Sequence, residues 1–127
     1  MRVNLRGYKD LDVYKLSYKM AIEIFEETKS FPKEEKFSLT DQIRRSSRSV
    51  ASNIAEAWGK RMYHNHFVNK LSDSYAEANE TQTWLDFSFS HSYMNKERHN
   101  YFSENYDHIS RMLFNMMKRP EKFLISL

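Results

Sequence analysis

The sequence has 127 residues, a length typical of one domain, and it contains no cysteine, two glycines and two prolines. The absence of cysteine excludes disulfides and cysteine-ligated zinc, and the few glycines and prolines disfavour turn-rich sandwiches and barrels. No apolar segment is long enough to predict a membrane span or a signal peptide. The net charge of +3 is uneven, because residues 41–70 carry a net +4 and residues 71–107 a net −5, which favours a polyanion-facing region beside an acidic one.

The first predicted helix runs from about Leu11 to Lys29, with Asp10 as its N-cap, and Pro32 follows its end. Apolar residues form two stripes on this helix, about 135° apart. One stripe holds Leu11, Tyr14, Tyr18, Ala21, Ile22 and Phe25, and the second holds Val13, Leu16, Met20 and Ile24. Two apolar faces indicate either one wide core face or a core face beside a subunit interface.

The second predicted helix runs from about Leu39 to Arg61, and residues 38–41 resemble a capping box at its start. Its predicted core stripe is Leu39, Ile43, Val50, Ile54, Ala57 and Trp58. Small side chains lie between these positions at Ser46, Ser47, Ser49, Ala51, Ser52 and Ala55. Such a run predicts that another backbone approaches this helix closely.

The third and fourth predicted helices run from about His66 to His91 and from the N-cap Asn95 to about Met117. Their core stripes are Phe67, Leu71, Tyr75, Ala78, Gln82, Leu85 and Phe89, then Phe102, Tyr106, Ile109, Leu113 and Met116. The apolar tail, residues 123–127, is expected to pack back onto the bundle or onto a neighbour. Four helices with short connections predict a single all-α domain, an antiparallel up-down four-helix bundle with a core in about residues 8–117.

Motifs for catalysis, metals and cofactors are missing from the sequence. The five histidines are His64, His66, His91, His99 and His108, and no two have the i,i+3 or i,i+4 spacing of a helical metal pair. Glycines occur only at positions 7 and 59, so no glycine-rich phosphate loop is possible. Glu77 and Glu80 are one turn apart, a spacing more typical of a solvated face than of a catalytic pair. We therefore expect no enzyme activity, no metal and no cofactor.

A basic face on the second helix is the most informative feature. Arg44, Arg45 and Arg48 fall within about 100° on a helical wheel, away from the core stripe. Lys60, Arg61 and Lys70 continue around the next connection, together with His64 and His66. Arginine forks fit phosphate, so these residues are candidate nucleic-acid contacts, although a solvated face paired with Asp41 and Glu56 is the alternative. No aromatic residues interleave with the charges, which predicts binding through the phosphate backbone rather than by base stacking.

Several segments together resemble a known family. They are residues 31–45, from Phe31-Pro32 to Gln42-Ile43-Arg44-Arg45; residues 49–56, with Asn53-Ile54-Ala55-Glu56; the opening residues 8–14; and residues 77–82 with Phe67. Over about residues 8–117 the chain closely resembles the four-helix-bundle proteins encoded in bacterial 23S rRNA intervening sequences. It departs from their pattern at Ala57-Trp58, where the family usually has glycine.

The resemblance implies a bacterial, cytoplasmic subunit of a ring, typically a homopentamer, and assigns the second stripe of the first helix, Val13, Leu16, Met20 and Ile24, to the oligomer interface. Related accessory proteins of diversity-generating retroelements bind nucleic acid and a reverse transcriptase. We therefore expect a non-enzymatic, oligomeric protein that binds structured RNA or DNA. The alternative is a protein–protein scaffold, which salt bridges from Arg44 and Arg48 to Glu77 or Glu80 would favour.

Overall fold

Buried positions recur in alternating steps of four and three residues along the last two helices. In the helix His64–Ser90 (α3) they are Phe67, Leu71, Ser74, Ala78, Thr81, Leu85 and Ser88, and in the helix Lys96–Lys118 (α4) they are Phe102, Tyr106, Ile109, Leu113 and Met116. A mean step of about 3.5 residues keeps one seam of a helix against its partner when the helices coil around each other. This spacing is that of a helical bundle.

The structure, a computed structural model, describes residues 5–126. Its other long helices are Asp12–Thr28 (α1) and Leu39–Trp58 (α2), and short 3-10 turns lie at Tyr8–Asp10, Lys33–Glu35 and Pro120–Lys122. Each helix packs against its neighbours in sequence, and α1 closes the arrangement against α4. The described residues contain no strand, so the predicted all-α, up-down four-helix bundle is confirmed.

The α2–α3 seam is lined by small polar side chains. The Ser74 hydroxyl of α3 donates to the carbonyl of Val50 at 2.7 Å, and the Thr81 hydroxyl donates to Ser46 Oγ at 2.8 Å. Ser46 and Ser74 are buried at this seam, and their small volume lets the two helices approach closely. Ser46 of the predicted small-residue run therefore lies at the α2–α3 contact, whereas Ala51, Ser52 and Ala55 face α1.

The two apolar stripes of α1 have the opposite roles to those predicted. Val13, Met20 and Ile24 are buried in the subunit core, with Leu16 packed against it, so they are not available as an oligomer interface. Ser17 completes this core seam, because its hydroxyl donates to the Val13 carbonyl at 2.7 Å and is thereby satisfied. In the other stripe Leu11 is buried, whereas Tyr18 and Ile22 are 55% and 52% exposed.

The helix ends agree with the sequence in part. Asn95 caps α4 as predicted, since its side chain accepts a hydrogen bond from the Arg98 amide at 2.8 Å. Asp10 does not cap α1; its carboxylate instead accepts hydrogen bonds from the amides of Arg6 and Gly7. Ser38 precedes α2 without a side-chain cap, and the Leu39 amide donates to Glu35 Oε1 at 3.3 Å. The carboxylate of the preceding 3-10 turn thus replaces the predicted capping box.

The remaining differences follow from the supercoiled packing. On α3, Tyr75 and Gln82 are half-buried and Phe89 is exposed, because Ser74, Thr81 and Ser88 occupy the seam. Trp58 is half-buried at the end of α2.

The tail folds back as expected, with the Phe123 ring 6.2 Å from that of Phe67. None of the helices within residues 5–126 combines the length and apolarity that crossing a membrane requires.

Candidate nucleic-acid interface

Arg44 turns toward the C-terminal end of α1 rather than into solvent. Its Nε donates to the Thr28 hydroxyl at 2.8 Å and its Nη2 to the Phe25 carbonyl at 3.4 Å. The guanidinium carbon lies 4.4 Å from the centroid of the Phe25 ring. Two donors and one face of the guanidinium are therefore used within the subunit, which corrects the prediction that Arg44 points outward to phosphate.

Arg45 and Arg48 remain exposed on α2. Arg45 forms only a long contact, 3.9 Å, with the carboxylate of Asp41 one turn earlier. The guanidinium carbon of Arg48 lies 5.7 Å from the centroid of the Phe25 ring. Among residues 5–126, neither Arg44 nor Arg48 forms a salt bridge with Glu77 or with any other acid of α3, so the contact that would have favoured a scaffold is not found there.

Two other candidates already have partners within the subunit. Lys70 Nζ lies 3.3 Å from a carboxylate oxygen of Glu56 and 3.8 Å from one of Asp73. Arg61 Nε donates to the Trp58 carbonyl at 2.7 Å, and its guanidinium stacks on the Trp58 ring at 3.6 Å. Burial lowers the pKa of Arg61, but an arginine remains protonated at neutral pH.

The predicted residues do not form one cluster. Lys60 lies 12 residues beyond Arg48, which is about 18 Å along a helix at 1.5 Å per residue. Lys60 and Arg61 belong to one end of the bundle, whereas Arg44 and Arg45 lie toward the other. The acidic residues of α3 lie between the two ends. Among them, Glu77 has a raised pKa because of its burial and the nearby charges of Glu80 and Asp73.

The fold brings further basic residues to Lys60 and Arg61. The tail runs over the α2–α3 connection, where the Ile125 amide donates to the Arg61 carbonyl at 3.2 Å. This end of the bundle, which we call the basic end, consists of Lys60, Arg61, Lys118, Arg119 and Lys122. The same stretches, residues 59–66 and 118–126, contain a single acid, Glu121. None of the five forms a salt bridge within the described residues.

Sequence reasoning missed three members of the basic end, Lys118, Arg119 and Lys122. The signal was present, because an up-down bundle places the ends of its second and fourth helices together. Basic side chains after these C-termini also offset the negative ends of the α2 and α4 dipoles. The N-termini of α1 and α3 lie at the same end, as do Asp10 and Asp12 at the start of α1.

An exposed aromatic ring lies within the basic end. Tyr63 is the N-cap residue of α3, its side chain is 51% exposed, and its ring meets that of His66 edge-on at 5.6 Å. The prediction that no aromatic residue accompanies the basic charges is therefore wrong for this end of the molecule. The signal was present in the sequence, because Tyr63 lies between Arg61 and His64.

A separate apolar groove runs between α1 and α2. It has a volume of about 590 Å³ and is lined by Tyr14, Tyr18, Ala21, Ile22, Phe25, Arg48, Ala51, Ser52 and Ala55. The exposed stripe of α1 forms one wall, and the small residues of α2 form its floor. We call this feature the α1–α2 groove.

The described residues offer no sign of a metal centre. Within residues 5–126, no three histidine, aspartate or glutamate side chains come close enough together to hold an ion. His99 Nε2 lies 2.8 Å from Asp86 Oδ1 and its ring stacks on Phe89, contacts that occupy this histidine within the α3–α4 hairpin.

A family model described as "23S rRNA-intervening sequence protein" matches residues 9–115 of the chain. The fold is similar to the crystal structure of a protein of unknown function from the S23 ribosomal protein family of Bacteroides thetaiotaomicron, with a TM-score of 0.76. The two sequences are 31% identical, and the match covers 84% of this chain and 95% of that chain. No curated protein matches the chain.

Proposed function

The chain belongs to the 23S rRNA-intervening sequence protein family, and from this membership we propose that it is a non-enzymatic, oligomeric protein that binds the phosphate backbone of RNA or DNA. The observation that carries the proposal is the basic end, whose five lysine and arginine side chains lie in two stretches that contain one acid, Glu121. Asp10 and Asp12 lie at the neighbouring start of α1, beside the tail. Phosphate contacts from lysine and arginine supply most of the affinity of backbone-led binding and little sequence specificity.

The side chains of the basic end suit a flexible, extended polyanion. Lys60, Lys118, Arg119 and Lys122 are exposed, so their charges can reach phosphates without first breaking a salt bridge. Arg61 is held on Trp58, which fixes the position of its remaining donors. Arg45 and Arg48 lie farther along α2 and would add contacts only to a longer nucleic acid.

Self-association is the second part of the proposal, and the α1–α2 groove supports it. Tyr18 and Ile22 expose apolar surface there, and burial against a second copy would remove it from water. A different groove of about 490 Å³ lies on the opposite side of the bundle, between α3 and α4, and contains the exposed ring of Phe114 and the carboxylate of Asp107. Contacts between two different faces close into a ring when the rotation fits. The family resemblance suggests a homopentamer.

The nucleic-acid proposal is tested by titrating a labelled RNA hairpin at several salt concentrations. Lys60→Gln and Lys122→Gln should each lower the slope of log Kd against log salt by about one unit per lost phosphate contact. Lys33→Gln is the matched control, since this exposed lysine lies at the opposite end of the bundle. Absence of binding at low salt, or an equal effect of Lys33→Gln, would count against the proposal.

A protein–protein scaffold is the second candidate function. The apolar α1–α2 groove favours it, because such a surface also fits a partner protein, and the family resemblance suggests a reverse transcriptase as one example. An oligomer that binds neither RNA nor DNA at low salt would support the scaffold over nucleic-acid binding.

A further inference from the structure

Phosphate binding leaves one feature of the basic end without a role. Tyr63 exposes half of its side chain, and the neighbouring Met62 is also exposed. An aromatic ring contributes little to a phosphate contact, which lysine and arginine already provide. Its π face is instead a surface on which a planar group stacks.

Hydrogen bonds hold the backbone around Tyr63 in a defined place. The Tyr63 amide donates to the Lys60 carbonyl at 3.0 Å, and the Tyr63 carbonyl accepts from the Phe67 amide at 2.9 Å. The bond from the Ile125 amide to the Arg61 carbonyl fastens the same connection from the other side. Because the backbone of Tyr63 is held before a ligand arrives, only the side-chain torsions of Tyr63 are ordered when a planar group stacks on its ring.

Stacking on Tyr63 distinguishes between two forms of nucleic acid. In a duplex the base faces are covered by neighbouring base pairs, so only the phosphates and groove edges reach a protein side chain. In an unpaired strand the bases turn outward and stack on aromatic rings or on arginine planes. Tyr63 and the guanidinium of Arg61, which is stacked on Trp58, are both surfaces of this kind.

We propose that the basic end binds an unpaired strand, with one base stacked on Tyr63 and the adjoining phosphates held by Lys60 and Arg61. This inference rests on the proposed nucleic-acid function and adds the class of ligand. It predicts that removal of the Tyr63 ring weakens binding of a short oligouridylate about tenfold, the effect expected for one stacked base, and does not change binding of an RNA duplex of the same length.

Fluorescence anisotropy with the two labelled RNAs tests this inference. Tyr63→Leu should weaken binding of oligouridylate about tenfold and leave duplex binding and the salt dependence unchanged, because the phosphate contacts remain. Tyr63→Phe should retain wild-type affinity, since the ring is kept. Phe37→Leu is the control, because this ring is 87% exposed but lies at the other end of the bundle.

The outcomes separate this inference from the proposal on which it rests. An unchanged oligouridylate affinity of Tyr63→Leu, or an equal loss of affinity for strand and duplex, would overturn the stacking role alone. Failure of both RNAs to bind at low salt would overturn the nucleic-acid function and the stacking role together. Circular dichroism of each variant verifies that the helices are intact.

Discussion

Arg44 illustrates how a residue on one helix can belong functionally to another. A helical wheel places it outside the core of α2, and yet its guanidinium lies against the last turn of α1. There it donates to the Phe25 carbonyl and to the Thr28 hydroxyl, and a positive charge near a helix C-terminus is favourable. We therefore assign Arg44 a structural role at the α1–α2 contact.

This assignment predicts that Arg44→Ala lowers the free energy of unfolding by about 1–2 kcal/mol, through lost charged hydrogen bonds and lost stacking on Phe25. Urea unfolding followed by circular dichroism measures the change. Arg45→Ala is the matched control and should alter stability by less than about 0.5 kcal/mol, because its contact with Asp41 is long and exposed. Equal losses in both variants would contradict the assignment.

Tyr106 is the largest fully buried side chain, and its hydroxyl has no hydrogen-bond partner among the described residues. A buried hydroxyl without a partner is costly, because it has given up its hydrogen bonds to water. Tyr106→Phe should therefore leave the protein equally stable or more stable, by up to about 1 kcal/mol. A clear loss of stability in thermal unfolding would indicate that the hydroxyl is satisfied in solution.

Burial also raises the pKa of Tyr106 well above its ordinary value of 10.0. Below pH 10 the phenol is neutral in both the folded and the unfolded chain, so it adds no pH dependence. Above that pH the unfolded chain loses this proton while the folded chain keeps it, so stability falls as pH rises. Tyr106→Phe should reduce the steepness of alkaline unfolding, and an unchanged pH profile would contradict this origin.

At the scale of elements, the sequence predicts the four helices to within a few residues but not all of their buried faces. Both stripes of α1 are apolar, so hydrophobic periodicity alone could not rank them. The buried stripe contains Ser17, a residue type expected at the surface. Ser17 lies in the core because its hydroxyl donates to a carbonyl of its own helix. The same effect hides Ser74, Thr81 and Ser88 on α3, where polar residues occupy seam positions.

The exposed stripe of α1 leads to a prediction about assembly. Ile22→Lys places a charge in the α1–α2 groove and should dissociate the oligomer without loss of helix, because Ile22 makes no part of the subunit core. Light scattering coupled to size-exclusion chromatography gives the mass, with a pentamer expected for the wild type. Phe37→Lys is the control outside the groove. A wild-type monomer would refute the proposed ring.

For the whole molecule, the sequence predicts that basic charge is concentrated, but not where it collects. Counting charges along the chain separates residues 41–70 from Lys118, Arg119 and Lys122, whereas the up-down topology brings the C-terminal ends of α2 and α4 to the same end of the bundle. Conversely, the fold places Arg44 and Lys60 toward different ends of the bundle. The basic residues of the predicted interface therefore lie in two places. Residues far apart along one long helix lie at different ends of the bundle, whereas the C-terminal ends of alternate helices lie at the same end.

The position of the basic end at one end of each subunit has a consequence for the proposed closed ring. If the bundle axes run along the axis of the proposed ring, rotation repeats each subunit without turning it over, so every copy would present its lysines toward the same rim and its opposite end toward the other. The two rims of such a ring would therefore differ in charge. A long strand bound to this proposed rim would meet the same set of cations once per subunit, and each contact would raise the local concentration of the strand for the next. Charge repulsion would also keep two such rims from stacking face to face at low ionic strength.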